Sequence, residues 1–219
     1  MKHTKPIALF FGLLVFCCRQ ADAQTIPVKA EKIGSPTEKE QIQKLIRQVL
    51  HWSDSKTVIN LLPVLTDSKI NYYTGVNFKK HQLNLEKLKA ANLFSAEFIE
   101  NFNQIILTLD KKIKSKTYGQ WQTGDLPPFN FSGYVNPWCL CQDVPYGKPS
   151  PWDFVSVNVS SFTNGRGAAN WQWGKLELNT DPSWREFAYK FKFVKEKDKW
   201  KISYLEGFDF KKSTSKAGM

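Results

Sequence analysis

The sequence predicts an α+β domain in which N-terminal helices pack on a curved, cone-like antiparallel sheet of about four C-terminal strands. Apolar residues of the first half recur with the helical period, whereas those after Phe154 alternate with a period of two. Two turns, Asn164-Gly165 and the charged run 195–199, join strands into hairpins. Helices followed by hairpin-connected strands are typical of the α+β class.

The first 23 residues have the organisation of a secretory signal peptide. Lys2 and Lys5 precede an apolar run over 7–18, and Ala21-Asp22-Ala23 is a small-x-small cleavage site before Gln24. The run is shorter than the roughly 20 residues of a membrane-spanning helix. We therefore expect an exported chain, periplasmic or secreted, with a leader at 24–34, a single domain at 35–210 and a basic tail at 211–219.

A lipoprotein is the alternative, because Cys17 and Cys18 end the apolar run. Lipidation would tether the protein to a membrane. Phe16 occupies the position before Cys17 where a small residue is wanted, so cleavage after Ala23 is the favoured interpretation.

The first helix is predicted with a capping box. Ser35 is a natural N-cap, Pro36 suits the first helical position and Glu38 lies three residues after the serine. One apolar stripe follows, made of Ile42, Leu45, Ile46, Val49 and Leu50.

The next stretch gives mixed signals until a second clear helix begins at Ser95. Pro63 and Gly75 interrupt the segment 57–78, so we expect a short helix and then a loop or short extended piece. Further helical turns, ending near Asn92, are indicated by Leu83, Leu85, Leu88 and Ala91. The helix from Ser95 ends in lysines that complement its dipole, namely Lys111, Lys112 and Lys114.

A long irregular segment is predicted over 118–152, since glycines and prolines punctuate it throughout. Connections longer than about 15 residues are uncommon in compact domains and are frequently functional. We expect aromatic packing to order this segment through Trp121, Phe129, Phe131, Tyr134, Trp138, Tyr146 and Trp152.

Alternating apolar residues predict the four strands. The first carries Val155, Val157 and Val159, the third carries Phe187, Tyr189, Phe191 and Phe193, and the fourth carries Trp200, Ile202 and Tyr204. In the second, Trp171 and Trp173 have the opposite parity to Leu176 and Leu178, so we expect a β-bulge at Gly174-Lys175.

These elements resemble the nuclear transport factor 2-like (cystatin-like) cone superfamily: amphipathic helices, a Pro/Trp-rich crossing, and strands that end at Trp200-Lys201-Ile202-Ser203-Tyr204-Leu205-Glu206. The sequence NPWCLCQD at 136–143, followed by a strand near Phe154, is similar to uncharacterised exported bacterial proteins of that superfamily. The likeness covers roughly residues 35–210. It implies a fold but no activity, because the superfamily includes isomerases, dehydratases, transport factors and binding domains.

The chain is basic, with a formal net charge of +11. Solvated faces and a loose tail would account for this charge, and so would weak attraction to an acidic partner or an anionic envelope surface. Export argues against a nucleic-acid partner.

Glu206 is the residue for which the sequence suggests the most specific chemical role. It has the parity of Trp200, Ile202 and Tyr204, so in a straight strand its carboxylate points into the aromatic face, where burial raises the pKa as a general acid or base requires. The alternative, which we favour, is that a bulge at Gly207 turns Glu206 to solvent or to a lysine.

The candidate ligand-binding residues are Trp138, Asp143, Trp171, Trp173, Tyr204 and Glu206. Asp143 and Asp153 flank the proline-rich segment, as turn formers or at the mouth of the cone. The tryptophans are core residues or line a pocket for a sugar or another flat ligand. His51 and His81 lack local metal-ligand partners, so we expect no metal and no cofactor.

Cys139 and Cys141 allow three interpretations: a disulfide across one intervening residue, two half-buried thiols, or a redox or partner-linking pair. The usual redox motif separates its cysteines by two residues, which disfavours the third.

Three functions remain open. The first is a non-enzymatic binding domain that recognises a protein or a cell-envelope component. The second is a small-molecule isomerase or hydrolase that uses Glu206, and the third is an immunity or inhibitor protein. No hydrolase, zinc-protease, phosphate-loop or dinucleotide motif occurs in the sequence.

The signal peptide gives the first testable prediction. We expect the exported protein to begin at Gln24, because Ala21-Asp22-Ala23 fits the signal-peptidase pattern. Intact-mass spectrometry of the protein recovered from the periplasm or medium measures this. A mass that retains residues 1–23, or one that includes a lipid on Cys17 or Cys18, would contradict it.

Overall fold

A computed structural model describes residues 36–55 and 59–218 of the chain. The predicted signal peptide 1–23, the leader 24–34 and the N-cap Ser35 lie outside the described residues. The fold class is confirmed: helices occupy the N-terminal half and a four-stranded antiparallel sheet follows.

The first helix, α1, spans Pro36–Ser53. Its predicted apolar stripe is buried, with each member at most 5% exposed: Ile42, Leu45, Ile46, Val49 and Leu50. The stripe packs on the main sheet, which lies later in the chain, and this burial stabilises the amphipathic helix.

Over 59–78, the described part of the next stretch, a β-hairpin replaces the expected short helix, whereas the expected extended piece is present. Strands β1 (Val64–Asp67) and β2 (Tyr72–Val76) pair antiparallel. Pro63 excludes a helix that continues through it, and Asn71 takes the positive φ of 56° that the turn requires. The amide of Val76 donates to the buried carboxylate of Asp110 at 2.8 Å, which attaches the hairpin to the helix that contains Asp110.

Two helices follow the hairpin. α2 spans Phe78–Ala91 and ends at Asn92, as predicted, where a left-handed residue closes the helix. α3 spans Ala96–Lys114, and its N-cap Ser95 accepts a hydrogen bond from the amide of Phe98 at 3.2 Å.

The main sheet has the strand order β3-β4-β5-β6, all antiparallel: Ser156–Thr163, Arg166–Gln172, Tyr189–Glu196 and Lys199–Leu205. A short helix, α4 (Pro182–Glu186), precedes β5. The inner face of the main sheet is aromatic and buried, and it includes Trp171, Tyr189, Phe191 and Phe193.

The expected bulge at Gly174-Lys175 is wrong, because β4 ends at Gln172. A Cβ at Gly174 would lie 1.9 Å from the carbonyl oxygen of Phe154. The backbone of Gly174 therefore packs closely against that of Phe154, and β4 does not continue through it. Leu178 is 97% exposed and therefore does not return to the core. Bulges occur instead between Val159 and Ser161 and opposite Lys192-Phe193.

The C-terminal residues extend the folded body beyond the boundary that we expected at Phe210. Helix α5 spans Phe210–Thr214, and Ser213 and Thr214 are buried. The amide of Ala217 donates to the carbonyl of Pro128 at 3.0 Å. Residues 211–218 are thus an ordered part of the domain rather than a loose tail.

Gly207 gives a test of this packing. A Cβ there would lie 1.9 Å from the carbonyl oxygen of Pro137, so Gly207→Ala should lower the free energy of unfolding by about 1–3 kcal/mol. Gly147→Ala is the matched control, since a Cβ at Gly147 meets nothing within 4 Å. Urea denaturation of both variants measures the difference, and equal midpoints would contradict the close approach.

Candidate functional site

Aromatic residues order the segment that connects α3 to β3, as predicted. Five of them are buried: Trp121, Phe129, Phe131, Trp138 and Trp152. Tyr146 is half-buried and donates to the carbonyl of Gly174 at 2.8 Å, whereas Tyr134 is 62% exposed. The segment is therefore fixed, and one of its aromatic rings is left facing solvent.

Trp138 is the central anchor of this segment. It is 2% exposed, and its ring centroid lies 4.6 Å from that of Phe208, 5.5 Å from that of Trp52 and 5.7 Å from that of Phe94. Phe208 follows β6, Trp52 belongs to α1, and Phe94 precedes α3. Trp138 therefore belongs to the core, and a ligand cannot reach most of its ring.

The residues around Trp138 form a tight turn held by Asn136. Its carbonyl accepts from the amides of Cys139 at 3.2 Å and Leu140 at 2.7 Å, and its amide donates to the carbonyl of Cys141 at 3.0 Å. Its side-chain oxygen accepts from the amide of Trp138 at 3.1 Å. Leu140 takes a positive φ of 51°, which closes the turn.

A disulfide joins Cys139 to Cys141 across this turn, so the first of the three interpretations is the one that the structure has. Cys139 is 2% exposed, whereas Cys141 is half-buried. Closing so short a loop restricts the unfolded chain little, and the entropic stabilisation is only about 1–2 kcal/mol. The bond is thus a small contributor to stability.

A surface depression of about 470 Å³ lies beside the turn. It is lined by Ser53, Ile59, Leu61, residues 132–138, Cys141 and Gln142. These lining residues include hydroxyl, amide and aromatic groups but no carboxylate, histidine, lysine or arginine. The depression is suited to an uncharged group of a ligand.

Three of the predicted ligand-binding residues lie elsewhere. Asp143 is exposed and is not part of the lining of the depression. Trp171 and Trp173 are buried in a separate aromatic cluster with Trp152, Trp184 and Phe187. Trp171 is entirely covered, so these two tryptophans act in the core.

Tyr204 and Glu206 do not share the inner face with Trp200 and Ile202, and that part of the parity argument is wrong. Phe193 pairs with Ile202 but Lys192 pairs with Tyr204, so Ser203 is an extra residue in β6. The bulge exchanges the two faces of the strand, and Leu205, opposite Phe191, points inward instead.

Glu206 is held by structural contacts, in agreement with the favoured alternative. Its carboxylate accepts from the amide of Lys190 at 3.1 Å and pairs with the ammonium of Lys212 at 3.4 Å. The bulge lies at Ser203 rather than at Gly207. Glu206 does not line the depression beside the Asn136 turn.

Two tyrosines near Glu206 are also structural. Tyr189 donates to the carbonyl of Pro137 at 2.8 Å and accepts from the amide of Gly207 at 3.0 Å. Its complete burial raises its pKa well above the usual value. Burial, followed by the charge of Asp209, raises the pKa of Tyr204 to about 12, and the Tyr204 hydroxyl donates to Asp209 at 3.3 Å.

Contacts that sequence reasoning missed attach the end of the segment to α1. His51 Nε2 lies 2.7 Å from the carboxylate of Asp153, and Arg47 donates to the carbonyl of Val155 at 2.9 Å. The indole of Trp152 donates to Asp54 at 3.2 Å. About 100 residues separate the partners in the chain, and no local signal could have paired them.

Three further depressions have charged linings. The largest, about 580 Å³ between α2, α3 and β6, contains the ion pair of Lys201 with Glu196 at 3.4 Å. A third includes Lys114 and Lys116, and a fourth includes the pair Arg166–Glu97 at 3.1 Å. Among the described residues that line the first depression, by contrast, there is no ion pair that a ligand would have to break.

His81 is buried and lies near the second depression. Its Nε2 donates to the side chain of Asn103 at 3.0 Å, while its Nδ1 has no partner among the described residues. Burial lowers the pKa of His81, and the bond to Asn103 acts in the opposite direction. The imidazole is thus favoured in its neutral form as part of the packing between α2 and α3.

The comparisons with known proteins add no relative. No family model matches the chain, and no curated protein has a significantly similar sequence. Among residues 36–55 and 59–218, His, Cys, Asp and Glu side chains form no group that could hold a metal ion. Within the same residues, none of the helices has both the length and the apolar character needed to span a membrane.

The raised pKa of Tyr204 predicts a loss of stability in alkali. Folding favours the protonated phenol, so its contribution is complete below pH 10 and is lost as the pH rises from 10 through about 12. Tyr204→Phe should make the free energy of unfolding fall less steeply over this range. Denaturant titrations at pH 9, 10 and 11 measure the slope, with Tyr134→Phe, at an exposed tyrosine, as the control. An unchanged slope in Tyr204→Phe would contradict the assignment.

Proposed function

We propose that the chain is an exported, non-enzymatic binding domain that recognises a protein or a cell-envelope component through the depression beside Tyr134. The observation that carries this proposal is the lining itself. A fixed, irregular segment presents an exposed aromatic ring together with amide and hydroxyl groups, and the described residues that line the depression include no acid, base or cation.

The size and chemistry of the depression support recognition of an uncharged group. Its volume of about 470 Å³ falls within the usual range of ligand sites, roughly 300–1,000 Å³. Tyr134 offers a flat face, Ser132 offers a hydroxyl, and Gln142 offers an amide that also donates to the carbonyl of Tyr134 at 3.1 Å. The same set of groups suits a sugar ring or a short uncharged peptide segment.

The core supports the walls of the depression. Trp138 is packed against α1 and the residues before α3, and Asn136 fixes the turn through four hydrogen bonds. A site that is already fixed loses little conformational entropy when a ligand binds.

The alternative of an isomerase or hydrolase gains no support from Glu206. Its carboxylate is engaged by Lys190 and Lys212, and the bulge in β6 turns it away from the aromatic inner face. The same proposal includes three points that rest on the sequence. These are export, membership of the nuclear transport factor 2-like superfamily, and weak attraction to an anionic envelope surface.

Tyr134 provides the test of the binding proposal. Tyr134→Ala should weaken retention of the purified protein on isolated cell-envelope particles by about tenfold, since an exposed aromatic anchor contributes on the order of 1–2 kcal/mol to an interface. The folded state should be unaffected, because Tyr134 is 62% exposed. Co-sedimentation at increasing particle concentration measures the affinity.

Leu178→Ala is the matched control, because Leu178 is exposed and apolar but does not line the depression. It should leave retention unchanged. Equal retention of wild type and Tyr134→Ala, or an equal loss in Leu178→Ala, would count against this depression as the binding site.

A further inference from the structure

We propose that the Cys139–Cys141 disulfide captures a thiol-bearing partner by thiol–disulfide exchange at Cys141. The ligand would be a protein or peptide with an accessible cysteine flanked by uncharged residues. The inference deepens the proposed function and rests on it, because Cys141, one half of the disulfide, lines the same depression.

The two sulfurs differ in access. Cys141 is half-buried and lines the depression, whereas Cys139 is 2% exposed and does not line it. Because Cys141 is the member of the pair that borders the depression, we expect an incoming thiolate to attack its sulfur, with Cys139 as the leaving group. Exchange requires this kind of access to one sulfur.

The turn is held by bonds that do not involve sulfur. Asn136 accepts from the amides of Trp138, Cys139 and Leu140 and donates to the carbonyl of Cys141. These four bonds keep residues 139 and 141 adjacent when the S–S bond is broken. The free Cys139 therefore stays in position to re-form the disulfide.

Two backbone carbonyl oxygens lie near the Cys139 sulfur, that of Asn136 at 3.7 Å and that of Cys141 at 3.8 Å. After exchange, the Cys139 thiol can donate to these oxygens. Cys139 is the leaving group in capture and the attacking group in release, so these surroundings act on both steps.

The exchange is balanced without a further reactant. The partner thiolate forms an S–S bond to Cys141 as the Cys141–Cys139 bond breaks, and Cys139 leaves as a thiolate that takes a proton from solvent. Attack of the Cys139 thiolate on Cys141 reverses the step, re-forms the intramolecular disulfide and releases the partner thiol.

The charge of the lining selects the partner. A thiol flanked by carboxylates would bring charges beside the half-buried walls of the depression, where the lining residues that the structure describes include no cation to pair with them. A thiol flanked by small uncharged residues carries no such penalty. The sequence around the partner cysteine is thus part of the prediction.

The first experiment uses two peptides as probes, N-acetyl-Ala-Cys-Ala-amide and N-acetyl-Glu-Cys-Glu-amide, each incubated with the oxidised full-length protein and quenched with acid. We expect a mixed disulfide that peptide mapping places on Cys141, formed several-fold faster with the uncharged peptide. An adduct mainly on Cys139, or no adduct with either peptide under native conditions, would overturn the proposal and leave a purely structural disulfide.

The second experiment compares the two sulfurs directly. Cys139→Ser leaves Cys141 as a thiol, and Cys141→Ser leaves Cys139. The uncharged reagent 4,4′-dithiodipyridine should modify Cys141 at least about tenfold faster than Cys139, because reactivity follows exposure. Equal rates in two variants with wild-type circular dichroism would overturn the proposal.

Two measurements on the wild-type protein separate this inference from the binding proposal on which it rests: adduct formation with the peptide thiols, and retention on envelope particles. Leu178→Ala is the control and should match the wild type in both, because Leu178 is exposed and does not line the depression. Normal retention without exchange overturns only the redox inference. Exchange without retention in the wild type overturns only the envelope partner.

Discussion

The packing of Trp138 against Phe208, with ring centroids 4.6 Å apart, is the contact on which the rest of the site depends. It joins the irregular segment to the end of the sheet, and the Tyr189 hydroxyl reinforces it by bridging Pro137 and Gly207. Burying an aromatic pair of this size contributes several kcal/mol, enough to order a segment whose own backbone forms little regular structure.

Because this anchor fixes the segment, the turn at Asn136 can hold its two cysteines in different environments. Cys139 follows Trp138 into the core, while Cys141 lies two residues further along, at the wall of the depression. The exposure of Tyr134 follows from the same arrangement. Binding groups are thus placed by the packing of a residue that is itself 2% exposed and out of reach of most ligands.

The bulge at Ser203 decides which side chains the sheet offers to its interior. Without it, Tyr204 and Glu206 would follow Ile202 into the aromatic face. With it, Leu205 occupies that face, and Glu206 accepts from the backbone amide of Lys190 and pairs with the ammonium of Lys212. A buried, unpaired carboxylate would be costly, so the inserted residue also removes a source of instability. The hypothesis of a catalytic Glu206 depended on a straight strand.

The sequence by itself determined α1, α3 and the α+β class, because apolar periodicity and the N-cap of α3 act locally. Its aromatic content indicated that the segment 118–152 is ordered, but the partners of these rings come from the tertiary structure. Only the tertiary structure decided the hairpin β1–β2, the end of β4 at Gln172 and the bulge at Ser203. An inserted strand residue leaves no compositional mark. The His51–Asp153 pair and the depression beside Tyr134 join residues far apart in the chain, so they exist only once the core has formed.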